Sequence, residues 1–64
     1  GFYNLGLCYA QKDDRDNAEY NLRQAIRYNS KFKQAYIKLA ELYEFYGDND
    51  LARQVRERAS TLPG

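Results

Sequence analysis

Shifted by 34 residues, the chain lies on itself. Leu5 falls on Leu39, Tyr9 on Tyr43, Asp14 on Asp48, Asp16 on Asp50, Ala18 on Ala52 and Ala25 on Ala59. Phe2 also meets Tyr36, and Gly6 meets Ala40. A fixed period that preserves residue size implies one supersecondary unit used twice, each copy unable to bury its apolar faces alone. In a chain of 64 residues no other feature restricts the fold as much. A domain this small buries only about 60% of the surface its unfolded chain exposes, so its stability is expected to be marginal.

The unit itself is helical. Phe2, Leu5 and Tyr9 recur at spacings of three and four, with the small residues Gly6 and Ala10 on a neighbouring strip where another helix can approach. This first helix is expected to pack on two sides, Phe2, Leu5 and Tyr9 forming its packing stripe. Cys8 reads as a small apolar filler in a helix interface. Lys12, Asp13 and Asp14 mark a turn, with Asp14 or Asp16 as the next N-cap. A second segment aligns Ala18, Leu22, Ala25 and Ile26 and stops around Asn29 and Ser30, whose side chains compete for backbone hydrogen bonds. Phe32 is expected to staple a third segment, which aligns Tyr36, Leu39 and Tyr43 and ends at Gly47, suited to a left-handed cap. Asp48, Asn49 and Asp50 offer caps for a fourth, carrying Leu51, Ala52, Val55, Ala59 and Leu62 before Pro63 and Gly64. No run shows the period-two alternation of a half-buried strand, so the class is all-α, helix-turn-helix twice.

An aromatic, a Leu-Gly pair after two residues and a Tyr after two more form the opening signature of the tetratricopeptide repeat, whose period is also 34. Phe2, Leu5, Gly6 and Tyr9 supply it in the first unit, and Tyr36, Leu39, Ala40 and Tyr43 in the second. The chain resembles that family along its whole length. Ala18, Leu22 and Ala25 match the second helix of the unit, while the second copy reads Ala52, Arg56 and Ala59, with Val55 placed to take over the packing. Asp13 stands at the family's turn Gly, Ser30 at its closing Pro, and Pro63 arrives one position early. The resemblance implies a first hairpin at 1–30, lacking the start of its first helix, and a second at 31–64, stacked as a short right-handed α-solenoid. With no initiator Met and Phe2 already inside a helical pattern, the chain is expected to be a piece of a longer protein.

In this family the first helices line a concave groove that holds peptide segments. Carried onto this chain, the groove comprises Tyr3, Leu7, Ala10 and Gln11 from the first unit, with Ile37, Lys38, Glu41, Glu44 and Phe45 from the second. Helical spacing places Tyr3, Leu7 and Ala10 together, and Ile37, Glu41 and Glu44 together, on stripes distinct from the packing stripes. Family members that grip acidic C-terminal tails use a Lys and an Asn one turn apart. Tyr3 and Leu7 occupy those positions here, so such a carboxylate clamp is not expected. Glu41 and Glu44 opposite an apolar strip would favour a mostly apolar ligand with some positive charge. The alternative for the same residues is a solvated surface whose apolar strip is covered by neighbouring repeats.

Other functions find little support. Ten Lys and Arg against nine Asp and Glu leave a net charge of +1, which creates no long-range field for nucleic acid or an anionic membrane. Arg53, Arg56 and Arg58 with Arg23 and Arg27 suggest a basic convex patch for phosphates, the least favoured reading. The chain has no His, and neither a phosphate loop nor a nucleophile elbow appears, so neither catalysis nor a cofactor is expected. Asp48-Asn49-Asp50 opens like a calcium loop but meets Arg53 where Gly is needed and Ala59 where Glu is needed, so no metal is expected. The longest apolar stretches fall far short of the roughly 18 residues of a membrane span, and nothing indicates a compartment. The expected function is a non-catalytic protein-binding scaffold. The alternative is a structural spacer that self-associates as a homodimer through end faces around Phe2 and Leu62.

Overall fold

The computed structural model describes residues 1–63; the expected stop at Gly64 lies outside them, while Pro63 follows the last helix. Four helices run in order, α1 (Phe2–Gln11), α2 (Arg15–Tyr28), α3 (Lys33–Phe45) and α4 (Asn49–Ser60). No strand occurs among the described residues. Helix α1 packs on α2, α3 packs on α4, and α2 joins the hairpins by packing on α3, which α1 touches narrowly. This is the expected all-α layout of stacked helical hairpins.

Both hairpins turn through the same nested pair of backbone hydrogen bonds. In the first, Asp14 N–H donates to Tyr9 O at 2.9 Å and Asp13 N–H to Ala10 O at 3.1 Å. In the second, Asp48 N–H donates to Tyr43 O at 2.8 Å and Gly47 N–H to Glu44 O at 3.1 Å. This closure requires a left-handed residue just past the helix end, and Asp13 (φ 60°) and Gly47 (φ 84°) provide it. Gly reaches that region freely and Asp is among the few other residues that visit it. The turn Gly is therefore replaced at Asp13 without changing the turn.

The turns are also tied to each other. The Tyr46 hydroxyl donates to the Asp13 carboxylate, Arg15 pairs with Asp48, and the Arg15 guanidinium lies 5.1 Å from the Tyr46 ring centre. Asp14 caps α2, accepting from Asn17 N–H at 3.4 Å and from the Asn17 side chain at 2.8 Å. Asp48 holds the equivalent position before α4 but makes no capping bond, because its carboxylate faces Arg15 instead.

The core gathers Leu22, Leu39, Leu42 and Tyr43 around the small residues Ala18 and Ala52, with Val55 packed against them. Leu22 is the largest side chain fully withdrawn from solvent. It fits because Gly6 lets α1 approach α2: a β-carbon at Gly6 would lie 2.7 Å from Leu22 Cγ. In the second hairpin Ala40 is buried at the equivalent place, and Arg56, which replaces Leu22 in register, is exposed.

Three local expectations are corrected. Tyr36, Leu39 and Tyr43 are buried, yet Phe2 and Leu5 of the matching stripe are 38% and 49% exposed. The reason is the stacking: α2 covers the stripe on α3, and no described helix plays that part for α1. Cys8 is exposed rather than in an interface, since it lies about 200° around α1 from Gly6, the residue facing α2. Phe32 precedes α3, but its ring contacts Tyr3 of α1 at 4.8 Å.

Candidate functional site

The side chains expected to form a groove come from α1 and α3, the first helices of the two hairpins. Tyr3, Leu7 and Ala10 are half-buried on α1, and Gln11 at its end is exposed. Tyr3 and Ala10 share the edge of the core with Tyr9, and the Tyr3 ring is held by Phe32 at a 45° tilt. On α3, Ile37 and Lys38 are half-buried, whereas Glu41, Glu44 and Phe45 are exposed. Phe45 keeps 77% of its surface in solvent and meets the Tyr46 ring edge-on at 5.0 Å.

The charged members are occupied within the chain. Lys38 Nζ donates to Glu41 Oε1 at 3.3 Å, one turn along α3. Glu44 turns toward α4, where Arg56 donates to both of its oxygens at 2.7 and 2.9 Å. That guanidinium holds the Glu44 carboxyl below its ordinary pKa and raises that of Arg56. A bidentate pair of this kind is among the more directional hydrogen-bonded contacts available to a side chain. Glu44 therefore braces α3 against α4 more than it offers a free carboxylate to a ligand. The clue was present in the sequence as Arg56 at an apolar position of the repeat, but its partner was not.

Sequence reasoning also missed the aromatic surface on the far side of α1. Phe2 and Tyr28 stack with ring centres 5.5 Å apart and planes 2° from parallel, and Tyr28 is 74% exposed. Among the described residues no group of three or more His, Cys, Asp or Glu is arranged to hold a metal ion, and no helix is long and apolar enough to cross a membrane. What α1 and α3 present is apolar and aromatic surface flanked by internally paired charge.

A family profile for the tetratricopeptide repeat matches residues 1–32. No curated protein and no solved structure matches the chain. The matched half holds Phe2, Leu5, Gly6 and Tyr9 on α1 and Ala18, Leu22 and Ala25 on α2, and α3 and α4 repeat its helix-turn-helix plan. The chain belongs to the tetratricopeptide repeat family, whose members are generally protein–protein interaction modules and typically non-enzymatic scaffolds.

Proposed function

We propose that the two hairpins, residues 1–30 and 31–64, form a scaffold module that holds a peptide or helical segment of a partner protein against α1 and α3. The observation that carries this reading is the partial exposure of Tyr3, Leu7 and Ile37 beside the core while Lys38, Glu41 and Glu44 are paired within the chain. Apolar area left in solvent on paired first helices favours an apolar ligand. A cationic one would first have to displace Lys38 or Arg56. The Lys and Asn of a carboxylate clamp are replaced by Tyr3 and Leu7, so an acidic C-terminal tail is not the ligand of this face.

Selection of displayed random peptides on the immobilised protein, followed by titration of the winners, tests the reading. Peptides with apolar anchors are expected, and Leu7→Lys/Ile37→Lys should weaken them about tenfold or more while the far-UV circular dichroism is unchanged. Equal affinity for the variant would remove the groove from consideration.

A second reading rests on a different observation: Phe2 and Leu5 are exposed where Tyr36 and Leu39, their partners in the repeat, are buried under α2. A helix playing the part of α2 would cover them, and a second copy of the chain can supply one, giving a self-associating spacer.

A further inference from the structure

We propose a second binding site on the opposite side of the module, in the cleft between α2 and α4, which takes an acidic peptide segment of a partner protein bearing an apolar anchor. The cleft encloses about 340 Å³ and shares no residue with the α1 and α3 surface described above. That volume is at the small end of ligand sites, enough for an anchoring side chain. It exists only because the hairpins stack, since α3 supplies its floor while α2 and α4 supply its walls.

The floor and walls select an apolar group. Leu39 and Tyr43 form the bottom, both buried. Ile26 and Val55 are the half-buried flanks, and Leu51, 41% exposed, stands at the mouth. An apolar side chain placed here removes both its own surface and that of Leu51 from water.

The rim selects negative charge. Arg23, Arg27 and Arg58 line the cleft and no Asp or Glu does. Arg23 is shared with Glu19 at 3.5 Å, and Glu19 in turn accepts from the Tyr43 hydroxyl. The guanidinium groups of Arg27 and Arg58 have neither an ion pair nor a hydrogen-bond partner among the described residues. Both sit in the last turn of their helices, where a cation complements the helix dipole. That accounts for their charge but not for the apolar hollow between them. Guanidinium groups bind carboxylates in a two-pronged geometry, so glutamate or aspartate on either side of an apolar anchor fits the rim.

A nucleic acid fits less well. Backbone charge would suit the arginines, but single strands are held by bases stacking on exposed aromatic faces, and the rings here, Tyr36 and Tyr43, are only 7% and 3% exposed. The net charge of +1 adds no long-range attraction.

The test uses a fluorescein-labelled peptide with one leucine flanked by glutamates, titrated by anisotropy, with a glutamine version and a leucine-to-serine version as controls. Both controls, and the protein variant Arg27→Glu/Arg58→Glu, should bind about tenfold or more weakly, whereas Leu7→Lys/Ile37→Lys should bind like wild type. Arg27 and Arg58 are exposed, and circular dichroism checks that their replacement leaves the helices intact. Were it to disturb them, Arg27→Gln/Arg58→Gln would be judged by the same criterion. Unchanged affinity in the arginine variant, or no binding of the glutamate peptide to wild type, would overturn the proposal. A single-stranded oligonucleotide that displaced the peptide and bound more tightly would overturn it in favour of nucleic acid. Loss of binding in the Leu7/Ile37 variant alone would return the ligand to the α1 and α3 face.

Discussion

Gly6 and Leu22 lie closer than a methyl group allows. A β-carbon on Gly6 would sit 2.7 Å from Leu22 Cγ and 3.2 Å from Leu22 backbone N, and rotating the leucine relieves only the first contact. Overpacking of this kind costs about 1–3 kcal/mol, while replacing a helical Gly by Ala returns roughly 1 kcal/mol of helix propensity. Gly6→Ala is therefore expected to lower stability by up to about 2 kcal/mol, read as a lower urea midpoint. The second hairpin shows the other solution to the same constraint. Ala40 keeps its methyl because Arg56 turns outward to Glu44, leaving Val55 to fill the space near the core.

Helix α3 is the element on which both hairpins rest, and its tyrosines are fastened at both ends. The Tyr36 hydroxyl donates to Ser30 O at 2.8 Å, so the segment where the family places a proline is held by a side chain. The Tyr43 hydroxyl donates to Glu19 Oε2 of α2 at 2.5 Å. Burial, and then this bond and the charge of Glu19, push the Tyr43 pKa up to about 12 from an ordinary value of 10.0. The unfolded chain releases this proton near its ordinary value while the folded chain retains it, so between those values the unfolded state binds fewer protons. The contribution is constant below the lower value and is lost as pH rises toward the upper one. Thermal melts should show stability falling across that window, and Tyr43→Phe should flatten this part of the fall. At neutral pH the same variant should be less stable by about 1–2 kcal/mol, since Glu19 loses its donor. An alkaline fall of the same depth in the variant would mean that other groups cause it.

At the scale of the whole molecule, stacking decides which of two equivalent stripes is core. The α3 stripe is covered by α2, and the α1 stripe keeps Phe2 and Leu5 in solvent. If a second copy covers it, sedimentation at about 100 μM should show dimer, because that concentration reveals any association stronger than roughly 5.5 kcal/mol. Phe2→Asp/Leu5→Asp should return the chain to monomer with its helices intact. A wild-type chain that sediments only as monomer would remove the self-association reading.

Much of this was legible in the residues. The helices, a turn around Asp13 and another at Gly47, a cap for α2 at Asp14 or Asp16, and the stripe of Tyr36, Leu39 and Tyr43 all follow from spacing and residue type. Such features depend on neighbours within a few positions, and helical geometry fixes those neighbours locally. The candidate site was legible only as a set of positions. That Glu44 is held by Arg56, that Phe32 reaches Tyr3 and that Cys8 faces solvent depend on residues far apart in the chain. The cleft between α2 and α4 was likewise foreshadowed only by its arginines. By itself, the sequence determined what each helix is and which faces are apolar. Only the tertiary structure decided which face meets which, because a helix period sets directions around one axis and says nothing about what another axis brings beside it.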